Sequence, residues 1–360
     1  MKKKILIIEG LYHFWQISEV FNLLKNDFDC KVLVPKSASH SLNIKKDFII
    51  ESKFKYFILL KAFFIGYKFD YIYFNTSPEY PDYPKDLKTF LIYFQQLIIF
   101  LFFLILFKKK IIIYVRGIYR FVPELFGDSQ YSIYIWIRNK IFLLADRIVC
   151  ENKNLTALLK KFLPIKKNYL ITTLYTRLNY NKKKKYIENK KFTIGILGLI
   201  DPQRKDYGLI YNYICKNKDK IKINFLGQCI SKKALSTIRA FKVSDVKFSI
   251  NYLTPAIFYK WGQECNVLIS LNKKSLFYGE SKGTGSFGDA ISLNKPLIAP
   301  YFSDIIKEFN SFTYYFKNKS ELEILLNKLM NKTHIKKINF HNFTQEVAKK
   351  KFIKDLNLGF

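Results

Sequence analysis

Short, uninterrupted apolar runs that end in a polar residue or a glycine are the feature that most limits how this chain can fold. The first run, Lys4–Ile8, ends at Glu9 and Gly10. A stretch with helical apolar spacing over residues 16–24 leads to a second run at 30–35. A strand that is apolar at every position is buried on both faces, which is typical of a parallel sheet covered by helices. Because parallel strands need a crossover between them, this alternation predicts an α/β fold.

The same pattern occurs twice within the 360 residues. A polar, lysine-rich stretch without apolar periodicity, residues 179–191, separates the two series and is typical of an interdomain linker. We therefore predict two Rossmann-like domains, one over 1–178 and one over 192–338, followed by a helix within 339–360. The further strands that the sequence predicts are 71–74, 111–115 and 147–150 in the first series, and 192–198, 222–227, 267–271 and 296–299 in the second.

The chain is strongly basic, with 61 Lys and Arg against 28 Asp and Glu and a formal net charge of +33. Its 49% hydrophobic and 18% aromatic content excludes a disordered basic tail, since such tails cannot bury a core. The charge indicates an anionic partner, which leaves nucleic acid, a membrane surface and a phosphorylated ligand as alternatives. An AT-rich genome would also produce this lysine excess. The basic residues are spread over both halves without a recognisable nucleic-acid-binding module, so we expect no nucleic-acid partner.

Cysteine usage and the apolar stretches bear on where the chain works. Five scattered cysteines without a CxxC pair fit a reducing compartment, and no secretory signal opens the chain. Residues 90–107 approach the length of a membrane-spanning helix and precede three lysines. However, Gln95 and Gln96 interrupt this stretch, and the predicted strand 111–115 follows at once. We expect a buried or interface-lying helix whose apolar face is able to enter a leaflet.

A loop rich in glycine and hydroxyl groups is the strongest chemical motif. It runs from Glu280 into a helix that we expect to end near Asn294, before a strand at 296–299. Backbone N–H groups in such a loop, together with the positive end of the helix, form an anion site. An ordinary capped helix is the alternative interpretation. The candidate ligand-binding residues are Glu280, Gly283, Thr284, Gly285, Ser286 and Asp289.

A second motif follows the first strand of the second series. Gly198 is followed by the adjacent cations Arg204 and Lys205, in the loop where open α/β sheets bind ligands. Guanidinium and ammonium groups at that place would neutralise a diphosphate. A solvated basic loop is the alternative.

These two motifs, in this order, resemble the C-terminal domain of GT-B fold glycosyltransferases, in particular the large bacterial group of retaining mannosyl- and glucosyltransferases. The segment 289–298 is similar to the family's helix–strand element that grips the nucleotide sugar. The resemblance implies that Asp289 binds the ribose and that Arg204 and Lys205 bind the diphosphate. Residues 145–151 resemble the strand that closes the N-terminal domain, and 343–348 resemble the final helix that crosses back onto it. The resemblance thus implies two Rossmann-like domains with an interdomain cleft.

The resemblance to this family also implies a function. The resemblance implies transfer of a sugar from a nucleoside-diphosphate sugar to a hydroxyl of a bacterial surface glycan, such as capsule, lipopolysaccharide, lipooligosaccharide or a lipid-linked oligosaccharide. The partners would be the donor, the glycan or lipid-linked acceptor, and the anionic inner leaflet of the cytoplasmic membrane, with the protein held peripherally on its cytoplasmic face.

The catalytic residues are less well determined. Arg116 follows the predicted strand 111–115, where many relatives place a histidine that contacts the donor sugar, so the retaining or inverting outcome stays open. An inverting enzyme needs a base for the acceptor hydroxyl. The candidates are Glu9 and His13 after the first strand and Glu79 after the strand 71–74. His13 is equally explained as a packed loop residue, and a turn residue is the alternative for Glu9.

The sequence predicts neither a metal nor a further cofactor. Asp27 and Asp29 match the Asp-x-Asp of the other glycosyltransferase fold class, but they lie just before a strand, where a turn is expected. We find no closely spaced His and Cys or His and Glu set suited to zinc. Two alternatives to sugar transfer remain: a protein of the same fold that epimerises or only binds a nucleotide sugar, and a basic nucleic-acid-binding protein.

Overall fold

The chain is seen here in a computed structural model and forms two compact units. The first unit comprises Met1–Thr176 together with Gln345–Phe360, and the second comprises Arg177–Thr344. The structure describes residues 2–10, 14–40, 42–53, 57–75, 98–103, 105–107, 110–115, 144, 147–162, 170–174, 191–241, 243, 245–274, 278–279, 283–332 and 338–358.

The first unit is built on a parallel sheet of seven strands. Its strands are β1 Lys4–Ile8, β2 Asp29–Pro35, β3 Ile49–Ser52, β4 Tyr71–Phe74, β5 Ile111–Val115, β6 Arg147–Cys150 and β7 Leu170–Thr173. The named helices are α1 Phe14–Leu24, α2 Lys36–Ser39, α3 Ile58–Gly66 and α4 Lys153–Phe162, and residues 98–103 and 105–107 are also helical.

The strand order of this sheet is β3-β2-β1-β4-β5-β6-β7. In register, Ile7 of β1 lies beside Val32 of β2 on one side and beside Tyr73 of β4 on the other. The apolar side chains of the inner strands are buried, and α3, α4 and the helical residues after 98 contribute to the core on one face of the sheet. Burial on both faces is therefore what holds β1, β4 and β5 in the middle.

The last helix, α10 (Gln345–Asp355), belongs to the first unit although it follows the whole second unit in sequence. Thr172 Oγ1 donates a hydrogen bond to Asp355 Oδ2 (2.7 Å), and Arg147 Nε donates to the Leu356 carbonyl (2.9 Å). Phe352 is fully buried, with its ring centroid 6.2 Å from that of Tyr73. This helix thus covers apolar surface of the first sheet.

The second unit contains a six-stranded parallel sheet of order β10-β9-β8-β11-β12-β13. Its strands are β8 Phe192–Leu197, β9 Ile221–Gln228, β10 Val246–Ser249, β11 Val267–Ile269, β12 Leu297–Pro300 and β13 Thr313–Phe316. Its helices are α5 Gly208–Lys216, α6 Lys232–Ala240, α7 Pro255–Gln263, α8 Gly285–Leu293 and α9 Lys319–Met330.

Both sheets confirm the predicted α/β class, and every predicted strand is present within a residue or two. The strands that the sequence interpretation missed are β3, β7, β10 and β13, which are the outer strands of the two sheets. An outer strand has one neighbour and is partly exposed, so its residues need not be continuously apolar. β10, for example, reads Val-Lys-Phe-Ser and has no buried residue.

Two other predictions concern segments that the structure describes only in part. Within 90–107, the helical residues bury Phe100 and Phe103 and expose Phe102. Among the described residues, no helix combines the length and apolar character needed to cross a membrane. The predicted linker 179–191 lies outside the described residues except for Lys191, so its boundaries stay predictions.

Candidate functional site

The second sheet reverses its strand order between β8 and β11, and the described residues of both sequence motifs lie around this point. From β8 the chain moves outward to β9, and from β11 it moves outward to β12 on the opposite side. The loops after β8 and β11 therefore diverge and leave a crevice at the carboxyl ends of these strands, where open α/β sheets bind ligands.

The loop after β8 begins at Gly198, whose φ of +79° lies in the region that favours glycine. The loop is held against β9 by two hydrogen bonds, from the Gly198 N–H to the Leu226 carbonyl (3.1 Å) and from the Ile200 N–H to the Gln228 carbonyl (2.9 Å). Gly227 lies between these acceptors, and a Cβ built on it would stand 2.1 Å from the Gly198 oxygen. The close approach of the two backbones thus depends on a glycine at 227.

Lys205 points inward from this loop. Its side chain is buried, and its Nζ donates to the carbonyl of Leu197 at the end of β8. Burial, together with the neighbouring charge of Arg204, lowers the pKa of Lys205 to about 7. In this structure the side chain therefore supports the loop from below, and the predicted contact of Lys205 with a diphosphate stays a prediction.

Arg204 holds the loop to the opposite side of the crevice. Its Nη2 donates to the hydroxyl of Tyr278, and its guanidinium carbon lies 6.0 Å from the centroid of that ring. Its carbonyl accepts from the Lys273 N–H (3.0 Å), just after β11. The guanidinium is half-buried. A delocalised cation is thereby fixed beside the ends of β8 and β11.

A row of hydroxyl and amide groups joins the end of β11 to the start of α8. Thr284 is the N-cap of α8 and accepts from the Ser286 N–H (3.4 Å). Asn272 Nδ2 donates to Thr284 Oγ1 (3.1 Å), and Ser286 Oγ donates to Ser270 Oγ (3.2 Å). Gly285 opens the helix, and no described atom lies within 4 Å of a Cβ built on it. The start of α8 thus presents hydroxyls and N–H groups, and no described side chain packs against Gly285.

The structure also describes two of the three remaining predicted residues of the glycine- and hydroxyl-rich motif. Gly283 is buried immediately before the N-cap. Asp289 is buried in the second turn of α8. The helix ends at Leu293 with Asn294 as its C-cap, at a left-handed φ of 54°, and the predicted helix end near Asn294 is thus met. Glu280 lies outside the described residues.

The first sheet has its own reversal, between β1 and β4. Glu9 follows β1 and Asn75 follows β4, and both side chains are buried. Asn75 Nδ2 donates to Glu9 Oε2 (2.9 Å). Of the four predicted catalytic residues only Glu9 is described, since His13, Glu79 and Arg116 lie outside the described residues.

The sequence interpretation missed four residues that the structure brings to these crevices: Asn75, Ser270, Asn272 and Tyr278. Three of them, Asn75, Ser270 and Asn272, stand directly after or within three residues of a buried strand. Their position just after a strand is the only feature of the sequence that could have indicated these three residues. In the described part of the chain, no cluster of three or more His, Cys, Asp or Glu side chains is arranged to hold a metal ion.

Two parallel sheets of this strand order in one chain are characteristic of the GT-B fold. Among solved structures, Anabaena HepE in complex with UDP and glucose matches with a TM-score of 0.60 and 13% sequence identity, over 99% of this chain and 97% of that one. The α,α-trehalose-phosphate synthase (UDP-forming) of Burkholderia vietnamiensis matches with a TM-score of 0.58 and 7% identity, over the full length of both chains. A putative UDP-N-acetylglucosamine 2-epimerase from Listeria monocytogenes matches with a TM-score of 0.57 and 12% identity, over 97% and 94%.

No protein-family model and no curated protein sequence matches the chain. The structural likenesses establish the fold: the chain has a GT-B, glycosyltransferase-like fold, which confirms the resemblance found in the sequence.

Proposed function

We propose that this protein is a glycosyltransferase that moves a sugar from a nucleoside-diphosphate sugar to a hydroxyl group of a bacterial surface glycan. The observation that carries the proposal is the crevice at the β8–β11 reversal, where the Arg204 guanidinium lies at strand ends near the hydroxyl-lined start of α8. A cation, helix N–H groups and hydroxyls are the donors that a diphosphate requires.

In this proposal the site acts mainly on the leaving group. Cleavage of the sugar–phosphate bond leaves negative charge on the diphosphate, which Arg204 and the N–H groups at the start of α8 stabilise. Lys205 keeps the Gly198 loop in place. Because its pKa is lowered to about 7, it is only partly protonated at pH 7, and an arriving anion would favour its protonated form. Asp289 would accept from the ribose hydroxyls. The phosphate charge is met by these groups without a required metal.

The acceptor side is assigned to the first unit. Glu9, held by Asn75 at the β1–β4 reversal, is the described candidate for the base that deprotonates the acceptor hydroxyl. His13, Glu79 and Arg116 stay predictions from the sequence. The acceptor we propose is a capsule, lipopolysaccharide or lipid-linked glycan at the cytoplasmic face of the membrane, where the basic chain is attracted to anionic lipid.

Thermal denaturation with added nucleotides tests the donor site. The solved structures named above are a UDP complex, a UDP-forming synthase and a UDP-sugar epimerase, so UDP is the first ligand to try, with GDP and CMP beside it. We expect one diphosphate to raise the melting temperature and Arg204→Ala to abolish that rise. Arg239→Ala, which changes an exposed arginine on α6, is the matched control and should keep it. An intact protein that responds to none of these nucleotides would refute the proposal.

Epimerisation of the nucleotide sugar is the second candidate, because a UDP-sugar epimerase shares the fold at a similar TM-score. Incubation with the donor and no acceptor separates the two. An epimerised sugar nucleotide supports the second candidate, whereas slow hydrolysis to free sugar and nucleoside diphosphate supports transfer.

A further inference from the structure

Two helical segments of the first unit pack against each other through aromatic rings. Phe63 of α3 contacts the rings of Phe103 and Phe107, each with centroids 5.9 Å apart. Gly66 of α3 lets the Phe103 ring approach, because a Cβ built there would lie 3.2 Å from it. These contacts join α3 to the helical residues after 98 and fix the two as one structural piece.

The outer side of this pair is apolar and exposed. Its residues are between 36% and 65% exposed, and we call them the apolar face: Phe57, Leu60, Phe64, Tyr67, Ile98, Phe102, Ile105 and Leu106. On α3 and its flanks they recur at helical spacing, three or four residues apart, so they share one side. Isolated exposed apolar residues are ordinary in a soluble protein, but eight on two packed segments indicate an interaction surface.

The charges around this face select the partner. The segments 53–68 and 98–110 contain four and three lysines, and neither contains an aspartate or a glutamate. Lys68 is exposed with its Nζ 5.5 Å from the centroid of the Tyr67 ring, at one end of the face. Two copies of the chain meeting here would bring like charges together. A bilayer with anionic headgroups would instead accept the apolar side chains and neutralise the lysines.

We propose that the apolar face of α3 and the 98–107 segment is the surface by which the protein docks on an anionic lipid bilayer. The proposal rests on the proposed function, in which the acceptor glycan is at the membrane, and it names the part of the chain that makes contact. Phe64 and Leu106 are among the most exposed residues of the face and enter the interfacial region, while the exposed lysines Lys53 and Lys68 lie at the headgroups. α3, which the sequence did not single out, supplies half of the surface.

Co-sedimentation with vesicles tests this docking. The full chain is mixed with vesicles of phosphatidylcholine alone and of phosphatidylcholine with phosphatidylglycerol, at low and high salt. We expect binding to the anionic vesicles that weakens with salt. The double variant Phe64→Asn/Leu106→Asn keeps the net charge and should lower the vesicle-to-buffer partition about tenfold or more. Ile324→Asn, an exposed position on α9 of the second unit, is the matched control and should bind like the unchanged chain.

Three outcomes would overturn the proposal: no binding to anionic vesicles, equal binding by the double variant, or equal loss in the Ile324→Asn control. A dimer in light scattering that the double variant dissociates would assign the face to a second copy and also overturn it. Nucleotide binding is measured on the same samples without vesicles. If the unchanged chain does not bind anionic vesicles but responds to UDP, the docking face is refuted and the proposed transfer is not. If the unchanged chain binds the vesicles but responds to no nucleotide, the proposed transfer is refuted and the docking face is not.

Discussion

Replacing Gly227 on β9 by alanine tests how closely the loop after β8, which begins at Gly198, packs against β9. The added methyl would stand 2.1 Å from the Gly198 oxygen, 2.4 Å from the Gly198 carbonyl carbon and 2.9 Å from the Leu199 nitrogen. These are backbone atoms, so no side-chain rotation relieves the contact. A carbon–oxygen contact needs about 3.3 Å, and the loop and β9 must therefore separate by roughly 1 Å.

The size of the effect follows from what this separation breaks. The hydrogen bonds from Gly198 and Ile200 to β9 flank the new methyl, and their loss contributes about 1 kcal/mol each. Overpacking adds about 1–3 kcal/mol. We expect the second unit to lose about 3–5 kcal/mol of unfolding free energy, a large part of what a domain has. UDP should bind more weakly, because the displaced loop carries Arg204 out of position.

The assay is urea unfolding of the full chain, followed by fluorescence and by UDP protection. Because the chain has two units, the midpoint of each transition is compared instead of one global free energy. Gly285→Ala is the matched control for the urea midpoint only, since apart from its chain neighbours and its own helix backbone no described atom lies within 4 Å of its new methyl. If Gly227→Ala unfolds at the same urea concentration as the unchanged chain and binds UDP equally well, the reasoning about the close backbone approach is wrong.

Further predictions concern the same crevice. Gly285→Ala should unfold no earlier than the unchanged chain yet lose about 1–2 kcal/mol of UDP binding free energy by calorimetry, because its methyl occupies the open space at the start of α8. Folding lowers the pKa of Lys205 to about 7, so between pH 7 and its ordinary pKa only the unfolded chain holds the proton on this side chain. The free energy of unfolding therefore rises with pH in this range, by up to about 1.4 kcal/mol per pH unit. Lys205→Met should flatten this rise in the urea midpoints, and an unchanged slope would contradict the assignment to Lys205. UDP binding just above pH 7 should take up protons, seen as a buffer-dependent heat that Lys205→Met removes. Asn272→Ala should weaken UDP binding by about 1 kcal/mol, since it removes a hydrogen bond to the N-cap Thr284.

The parts of the fold that were predictable are those where burial leaves a mark on the sequence. Inner strands such as Ile111–Val115 are apolar throughout because helices or loops cover both faces. Thr313–Phe316 and Leu170–Thr173 lie at the outer edges, where polar and half-exposed residues are tolerated, and so they lack the continuous apolar run that marks an inner strand. A continuous apolar run therefore predicts the inner strands of a sheet, but it does not predict how many outer strands the sheet has.

The candidate site was predictable only where its residues are neighbours in sequence. Thr284 and Ser286 form one local motif around the start of a helix, and the structure keeps them together. Ser270 and Tyr278 join the same site because the sheet sets β11 beside β8, and no local pattern carries that information. Arg204 and Lys205 are adjacent in sequence, yet one side chain spans the crevice and the other is buried beneath it.

The last helix also has a consequence for the order in which the protein is made. The first unit reaches the ribosome exit early, but Phe352 and Asp355, which pack on Tyr73 and bind Thr172, are translated only after the entire second unit. Until then, the emerging first unit has an unfinished apolar surface, whereas the second unit is continuous in sequence and is able to fold as soon as it emerges. A premature stop just before Gln345 would therefore damage the unit that was synthesised first and spare the one synthesised last.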